Sequence, residues 1–485
     1  PRDGTVTSTP ADTAPADYKL VELEGECLNC TLKIKTQTLT AIVAPKTVES
    51  QTNNGSMFIQ VINANGQPVS SANVKVVYLK TPGFTIEDLT GVDGFLRLID
   101  IPPGLNAYRI YITKDNYSSD RTYPPGDPSN PNPILPDQTV KSGQLTSVSF
   151  QIDLLSRLNF SFFNKLCQPT PNVSFSLKGS KLIGRDPDVL KTDITTTTDE
   201  YGKKSLLLEW DSYKFDLSDS RYVLQGTNIY LRPTINIQPN STYNFNITLA
   251  SSSPINLLVS VLDQNKNYLE EATVTLTKLG SSSTKITGED YINETDWSNN
   301  NYSEITSGID VNSSPGDVKL LDLGGYFSTS TEYLISKTID MGTSSPLLYK
   351  KFKWTGSVPA NTSIKFQLAS NNDNTTWNFI GPDGTSNTYF ETNEFTIPGT
   401  LANKRYFRYK VYLQTNDPSV TPVLNDISFT YSSACLSPGQ VLFQNLDPGN
   451  YTLEVIKAGY QTNSQTINLS SSQPYQEIEV ILLPQ

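Results

Sequence analysis

Two stretches of this chain repeat each other across a wide gap, and a chain that repeats itself is built from copies of one unit. The first reads MFIQVINANGQPVSSANVKVVYLK over residues 57–80 and resumes as DGFLRLIDIPPGLNAYRIYITKDNYSS over 93–119. The second reads LLVSVLDQNKNYLEEATVTLTK over 257–278 and resumes only at 439–462, as GQVLFQNLDPGNYTLEVIKAGYQT. Alternating apolar residues such as Phe58, Val61, Val74 and Val76 mark half-buried strands. NANGQP is turn chemistry, and a Pro-Gly turn recurs at Pro103-Gly104 and Pro448-Gly449. Each copy reads as a small antiparallel sandwich. A more diverged copy lies between them, in the segments LNFSFFNKLCQPTPNVSFSLKG (158–179), TTTTDEYGKKSLLLEW (195–210) and INIQPNSTYNFNITLA (235–250).

Composition fits this reading. A length of 485 residues implies roughly three to five domains. Charged residues make up only 18% of the chain, and 25 Tyr and 19 Phe sit among abundant Ser, Thr and Asn, a mixture that favours strands and turns.

Residues 65–76 (NGQPVSSANVKV), with VDGFLRLIDIPPG in the same copy and NLDPGNYTLEVIKAGY in the last, resemble the carboxypeptidase regulatory-like domain, also called prealbumin- or transthyretin-like. That resemblance implies a seven-stranded sandwich common in bacterial surface proteins, and a fold rather than an activity.

The last copy is interrupted between residues 278 and 439. No compact domain carries so long a structureless loop, so a whole domain is expected there, inserted at a loop tip and held outward. Alternation of Phe366 with Leu368, and of Phe407, Tyr409, Val411 and Leu413, predicts long strands with one buried face. From the strand of Trp354 to Tyr431 the segment resembles the galactose-binding-like jelly-roll modules. Residues 17–45 read as two strands around a Cys pair and are similar to the last strands of type IV minor pilin heads. Two strands alone make no independent domain, so they are expected to be the tail end of a sheet whose beginning is missing, or a sheet completed by a partner.

The expected fold class is therefore all-β: tandem Greek-key, prealbumin-like β-sandwiches with a jelly-roll domain inserted in the last one. The expected division is a partial N-terminal sheet (1–53), sandwiches at 54–155 and 156–252, a third at 253–280 plus 435–485, and the inserted domain at 281–434.

Several functions are disfavoured. The net charge of -11 argues against a nucleic-acid partner, which requires a basic surface. The chain has no His, which removes the commonest general base and the usual Ser and Cys triads, along with His-based metallopeptidase motifs. Carboxylates such as Glu391, Glu394 and Asp426 could run glycoside hydrolysis, yet nothing in their spacing sets them apart. No membrane span is expected, because no run of about 20 apolar residues occurs. Residues 1–16 lack the apolar core of a secretion signal, so any signal or anchor is expected outside this chain.

The remaining candidates concern binding and cross-linking. Cys27 and Cys30 could be half of a zinc site or a tight disulfide; no second pair and no His would complete a zinc site, which favours the disulfide. Cys167 and Cys435 would lock two adjacent modules if paired, and would otherwise be two free buried thiols. Loops at 370–377, 381–387 and 415–419 offer oxygen ligands, Asn371 and Asp373 among them, for a structural calcium, although the same residues are what hairpin turns use. Trp297, Trp354, Trp377 and Tyr389 concentrate in the insertion, where indole and phenol rings could stack on a sugar. Trp377, beside a polar turn, is the best of them, with Tyr389 and Asp383 nearby, whereas Trp354 belongs to a core strand. The function expected is an extracellular, non-catalytic surface protein for adhesion or structural display, as a minor pilin or pilus-tip component. Its partners would be other surface-assembly or pilus subunits and a cell-surface glycan or neighbouring cell. The alternative is an accessory carbohydrate-binding portion of a secreted enzyme.

Overall fold

The alternation read in the first repeat resolves into a strand at Gly55–Ile62 whose Met57, Ile59 and Val61 are fully buried. Phe58, taken above as marking the buried face, points the other way and lies under the Arg97 guanidinium at 5.5 Å. A side-chain period of two cannot place residues 58 and 61 on one face. The computed structural model describes residues 19–25, 37–43, 53–342 and 346–485; among them the architecture is all-β, broken only by a 3-10 turn at Gly399–Leu401.

Four hydrophobic cores organise the described chain. In the first sandwich, Gly55–Ile62 runs between Leu145–Gln151, which is parallel to it, and Phe95–Ile101, which is antiparallel. The facing sheet is ordered Phe84–Leu89, Asn73–Tyr78, Gly104–Thr113, Asp120–Arg121. The third sandwich repeats this plan: Asn256–Leu262 lies between parallel Tyr475–Ile481 and antiparallel Gln440–Phe443. Its other sheet runs Ser281–Ile286, Thr273–Lys278, Gly449–Ile456, Asn463–Leu469. In the second sandwich Ser156–Asn164 is the corresponding strand, between parallel Thr242–Ser251 and antiparallel Lys203–Leu208.

Local chemistry is repeated as closely as topology. After the first strand of each sandwich an Asx side chain closes the turn: Asn63, Asn164 and Asp263 each accept two backbone N–H bonds, from residues two and four positions on, at 2.8–3.1 Å. A buried threonine then accepts the N–H of the residue opening the second strand region: Thr90 from Ala72 (2.9 Å), Thr198 from Val173 (3.0 Å) and Thr287 from Ala272 (2.9 Å). A glycine carbonyl closes the following turn onto the first strand, from Gly94, Gly202 and Gly439, each at 2.8 Å.

These markers locate the insertion. Thr90 and Gly94 bracket a short turn, as do Thr198 and Gly202, whereas Thr287 and Gly439 bracket a whole domain. Ser281–Ile286, assigned to the insertion from the sequence, pairs with Thr273–Lys278 throughout and so belongs to the third sandwich. The inserted segment folds as two antiparallel sheets. Val423–Ser433 and Leu347–Ser357 form the centre of one, and Tyr406–Thr415, flanked by Glu332–Ile335 and Thr362–Asn371, the centre of the other. Phe352, Phe366, Phe407, Tyr409, Phe429 and Tyr431 fill the space between them.

The insertion does not project freely. Cys167, on the first turn of the second sandwich, is disulfide-bonded to Cys435 on the turn leading back into the third. Lys165 on the same turn donates to the carbonyl of Tyr291 at 2.9 Å and accepts, through its own carbonyl, from the Tyr431 hydroxyl at 3.1 Å. Leu166 packs against the insertion's core.

The sandwiches are also joined to one another. The Ile134 N–H donates to the carbonyl of Ile183 (2.9 Å) across the first junction. Arg232 forks onto Glu477 with two 2.7 Å bonds across the second, where Leu258 and Leu442 enter the core of the second sandwich. Neither junction is a free linker.

Near the N-terminus Lys19–Gly25 pairs antiparallel with Gln37–Val43, exposing Leu20, Leu23 and Leu39. Cys27 and Cys30, expected to be bonded, lie outside the described residues. Among the described residues no helix is long and apolar enough to cross a membrane.

Candidate ligand-binding face

Strand alternation in Tyr406–Thr415 sends Phe407, Tyr409, Val411 and Leu413 into the core, which leaves Arg408, Lys410 and Tyr412 on the outer face of the sheet. The pairing register sets Tyr412 directly between Tyr333 on one neighbour and Lys365 on the other. The Tyr333 and Tyr412 rings lie 6.1 Å apart, and the Lys410 ammonium sits 3.6 Å from the first ring centroid and 4.9 Å from the second.

The long connection after Asn371 folds back onto this face instead of looping into solvent. Ile380 and Phe390 bridge to Leu368 and Phe366. The buried Gln367 pins it: its amide donates to the carbonyls of Ser386 and Thr388, both at 2.9 Å, while its oxygen accepts from the Tyr412 hydroxyl at 2.8 Å. Tyr389 is thereby set edge-on to Tyr412, with centroids 5.0 Å apart, and Trp377 is brought beneath the Arg408 guanidinium at 4.3 Å. Trp377 and Tyr389 thus join one strip with Tyr333 and Tyr412.

Electrostatics mark the same strip. Arg408 donates twice to the Thr338 hydroxyl, at 2.9 and 2.7 Å, and partial burial lowers its pKa. Burial also lowers that of Lys410, with the Glu304 charge opposing. Glu304 itself accepts from the Tyr333 hydroxyl at 2.5 Å. Burial pushes the Tyr412 phenol up to about 12, reinforced by Tyr389 and Tyr333.

The other sequence candidates are engaged elsewhere. Asp383 accepts from the Thr385 N–H at 2.8 Å and from the Thr388 hydroxyl, which holds its carboxyl below the ordinary value. Asp373 accepts the Thr375 and Thr376 N–H groups at 2.9 Å, which lower its pKa strongly. Asn371 bridges Asn374 and Thr376 within the same turn. These oxygens close turns, and among the described residues no group of three His, Cys, Asp or Glu is placed to hold a metal. Trp354 is buried, as expected. Trp297, grouped with the exposed rings, is fully buried, with its indole N–H donating to the Tyr409 hydroxyl at 2.6 Å. Glu391 and Glu394 pair with Lys365 and Lys351 at 2.8 Å, and Asp426 accepts from Thr355.

Sequence reasoning missed Tyr333, Arg408, Lys410 and Tyr412. The last three were legible as the complement of the apolar alternation; Tyr333 emerges only through strand pairing.

No protein-family model and no curated protein matches the chain. Among solved structures it is similar to the Bacillus anthracis TIE protein, at 11% identity and a TM-score of 0.19, with 97% of this chain and 61% of that chain covered. The streptococcal ancillary pilin is 9% identical, with 89% of this chain and 100% of that chain covered and a TM-score of 0.17. BcpA, the major pilin subunit of Bacillus cereus, has the same identity and coverage at a TM-score of 0.16. The chain spans 61% of the length of the first of these. TM-scores this low assign neither a function nor a detailed architecture.

Proposed function

We propose that this chain is a non-catalytic surface-display protein whose three sandwiches form a stalk and whose inserted domain recognises a carbohydrate through its outer sheet face. The observation that carries the reading is the strip of Trp377, Tyr389, Tyr412 and Tyr333 on one face, where a buried Gln367 ties the segment before Tyr389 to Tyr412. Aromatic rings held on a rigid sheet are a low-entropy platform for sugar rings. The two joined junctions and the disulfide to the second sandwich support a stalk that fixes the direction of this face.

Location at a cell surface, within a pilus or a comparable assembly, belongs to the same proposal. Among the described residues, the exposed Leu20, Leu23 and Leu39 lie on a two-stranded ribbon and suit docking onto a further subunit.

A glycan array and whole-cell binding assay with the full chain and a Trp377→Ala variant test this function. Selective binding that the variant loses is expected. Binding to no glycan and no cell would leave the insertion as a spacer.

A further inference from the structure

The rings of this strip are not bare. Lys410 covers Tyr333 and Tyr412, Arg408 covers Trp377, and Lys365 stands 5.8 Å from the Tyr389 ring. A neutral sugar that stacks needs an open ring face, whereas here each ring already carries a cation on one side.

Two of these cations also have no carboxylate in ion-pair contact, although the Glu304 charge acts on Lys410 from beside Tyr333. Arg405, earlier on the same strand, is clamped by Asp340 at 2.7 Å, and Lys365 pairs with Glu391 at 2.8 Å. Among the described residues no carboxylate lies within ion-pair distance of Arg408 or Lys410. The polar partner of Arg408 is the neutral Thr338 hydroxyl. In a chain of net charge -11, two such cations on alternate positions of one strand are a local excess of positive charge that Glu304 offsets only at Lys410. They project from the same sheet face about 7 Å apart along the strand, and the rings fix their side chains in place, so a ligand would meet them already ordered.

We infer that the outer face of the inserted domain binds an acidic polysaccharide, its carboxylates met by Arg408 and Lys410 and its sugar rings bordered by Trp377, Tyr389 and Tyr412. A guanidinium fork matches a carboxylate in two bonds, and an ammonium beside it meets a second one. Single-stranded nucleic acid would offer the same cations phosphates, and the test below separates the two. This inference rests on the glycan-binding reading of the face and narrows its ligand class.

The test is affinity electrophoresis of the full chain through gels holding polygalacturonate, its methyl ester of equal length, or single-stranded DNA. Arg408→Gln/Lys410→Gln and Trp377→Ala variants run beside it, with melting curves confirming that each is folded. Retention by polygalacturonate is expected to fall about tenfold or more on the methyl ester, and likewise in the double variant. Equal retention by acid and ester that ignores the double variant but is lost in Trp377→Ala would overturn the acidic ligand and leave a sugar-binding face. Retention by neither polysaccharide would overturn the acidic-ligand reading, while the glycan array decides the sugar-binding face. Preferential retention by DNA would assign the cations to polyphosphate and overturn this one.

Discussion

Cys167 and Cys435 stand 268 positions apart in sequence with their Cα atoms 5.5 Å apart, and Cys167 holds the left-handed turn position (φ 58°) that Gly66 holds (φ 74°) in the first sandwich. A non-glycine residue there is unfavourable, yet it brings the disulfide sulfur to the exit of the inserted domain. Replacing both cysteines by Ser should cost about 2–4 kcal/mol in urea unfolding. Using Cys167→Gly in place of Cys167→Ser should recover about 1 kcal/mol, because Gly adopts the turn freely. Equal stabilities for the Gly and Ser versions would show that the turn carries no such cost.

The repeated threonine makes a second expectation. Thr90→Val leaves the Ala72 N–H and the Val69 carbonyl, both paired with the hydroxyl, without partners in the core. A loss of about 1–3 kcal/mol should follow, with Thr90→Ser losing less. Thr198→Val should behave alike in the second sandwich, and chemical denaturation of each variant measures both.

Glu294 should make the inserted domain sensitive to pH. Burial raises its folded-state pKa above the ordinary 4.5, the Tyr409 hydroxyl opposing part of the effect. A raised acid favours the folded state when protonated, so its contribution is complete below 4.5 and is lost as pH climbs through the folded value. Glu294→Gln keeps an acceptor for Tyr409 without the charge. The variant should melt roughly 2–4 °C higher than the parent at pH 7 and match it near pH 4. A parent whose inserted domain melts identically at both would contradict this.

Much of this architecture is legible in the sequence because its signals are local. The Asx turns at Asn63 and Asp263 and the Pro-Gly turns mark the repeat, and the distance to Gly439 exposes the insertion. Ser281–Ile286 escaped notice because SSSTKI is a sheet-edge strand, mostly exposed, with no apolar alternation to reveal it. Trp297 was misplaced because the polar residues beside it say nothing of Tyr409, its distant partner. Trp377 and Tyr389 were found through their neighbouring turn chemistry, while Tyr333 and Lys410 meet only through pairing between strands distant in sequence.

Calcium should leave the protein unchanged. The oxygens of Asp373 and Asn371 already close their own turn. Millimolar calcium, or its removal with a chelator, is expected to leave the melting curve in place, and a clear rise with calcium would reveal a bound ion.

On the proposed function, recognition resides in the inserted domain and the sandwiches carry it. The direct measurement joins Thr287 to Gly439 through the tripeptide Gly91–Asp93 of the first sandwich, in a Cys167→Ser background, and compares the shortened chain with the full one in glycan and whole-cell binding. A cooperatively folded stalk that has lost binding is expected. A shortened chain that folds and binds as the full chain does would contradict it.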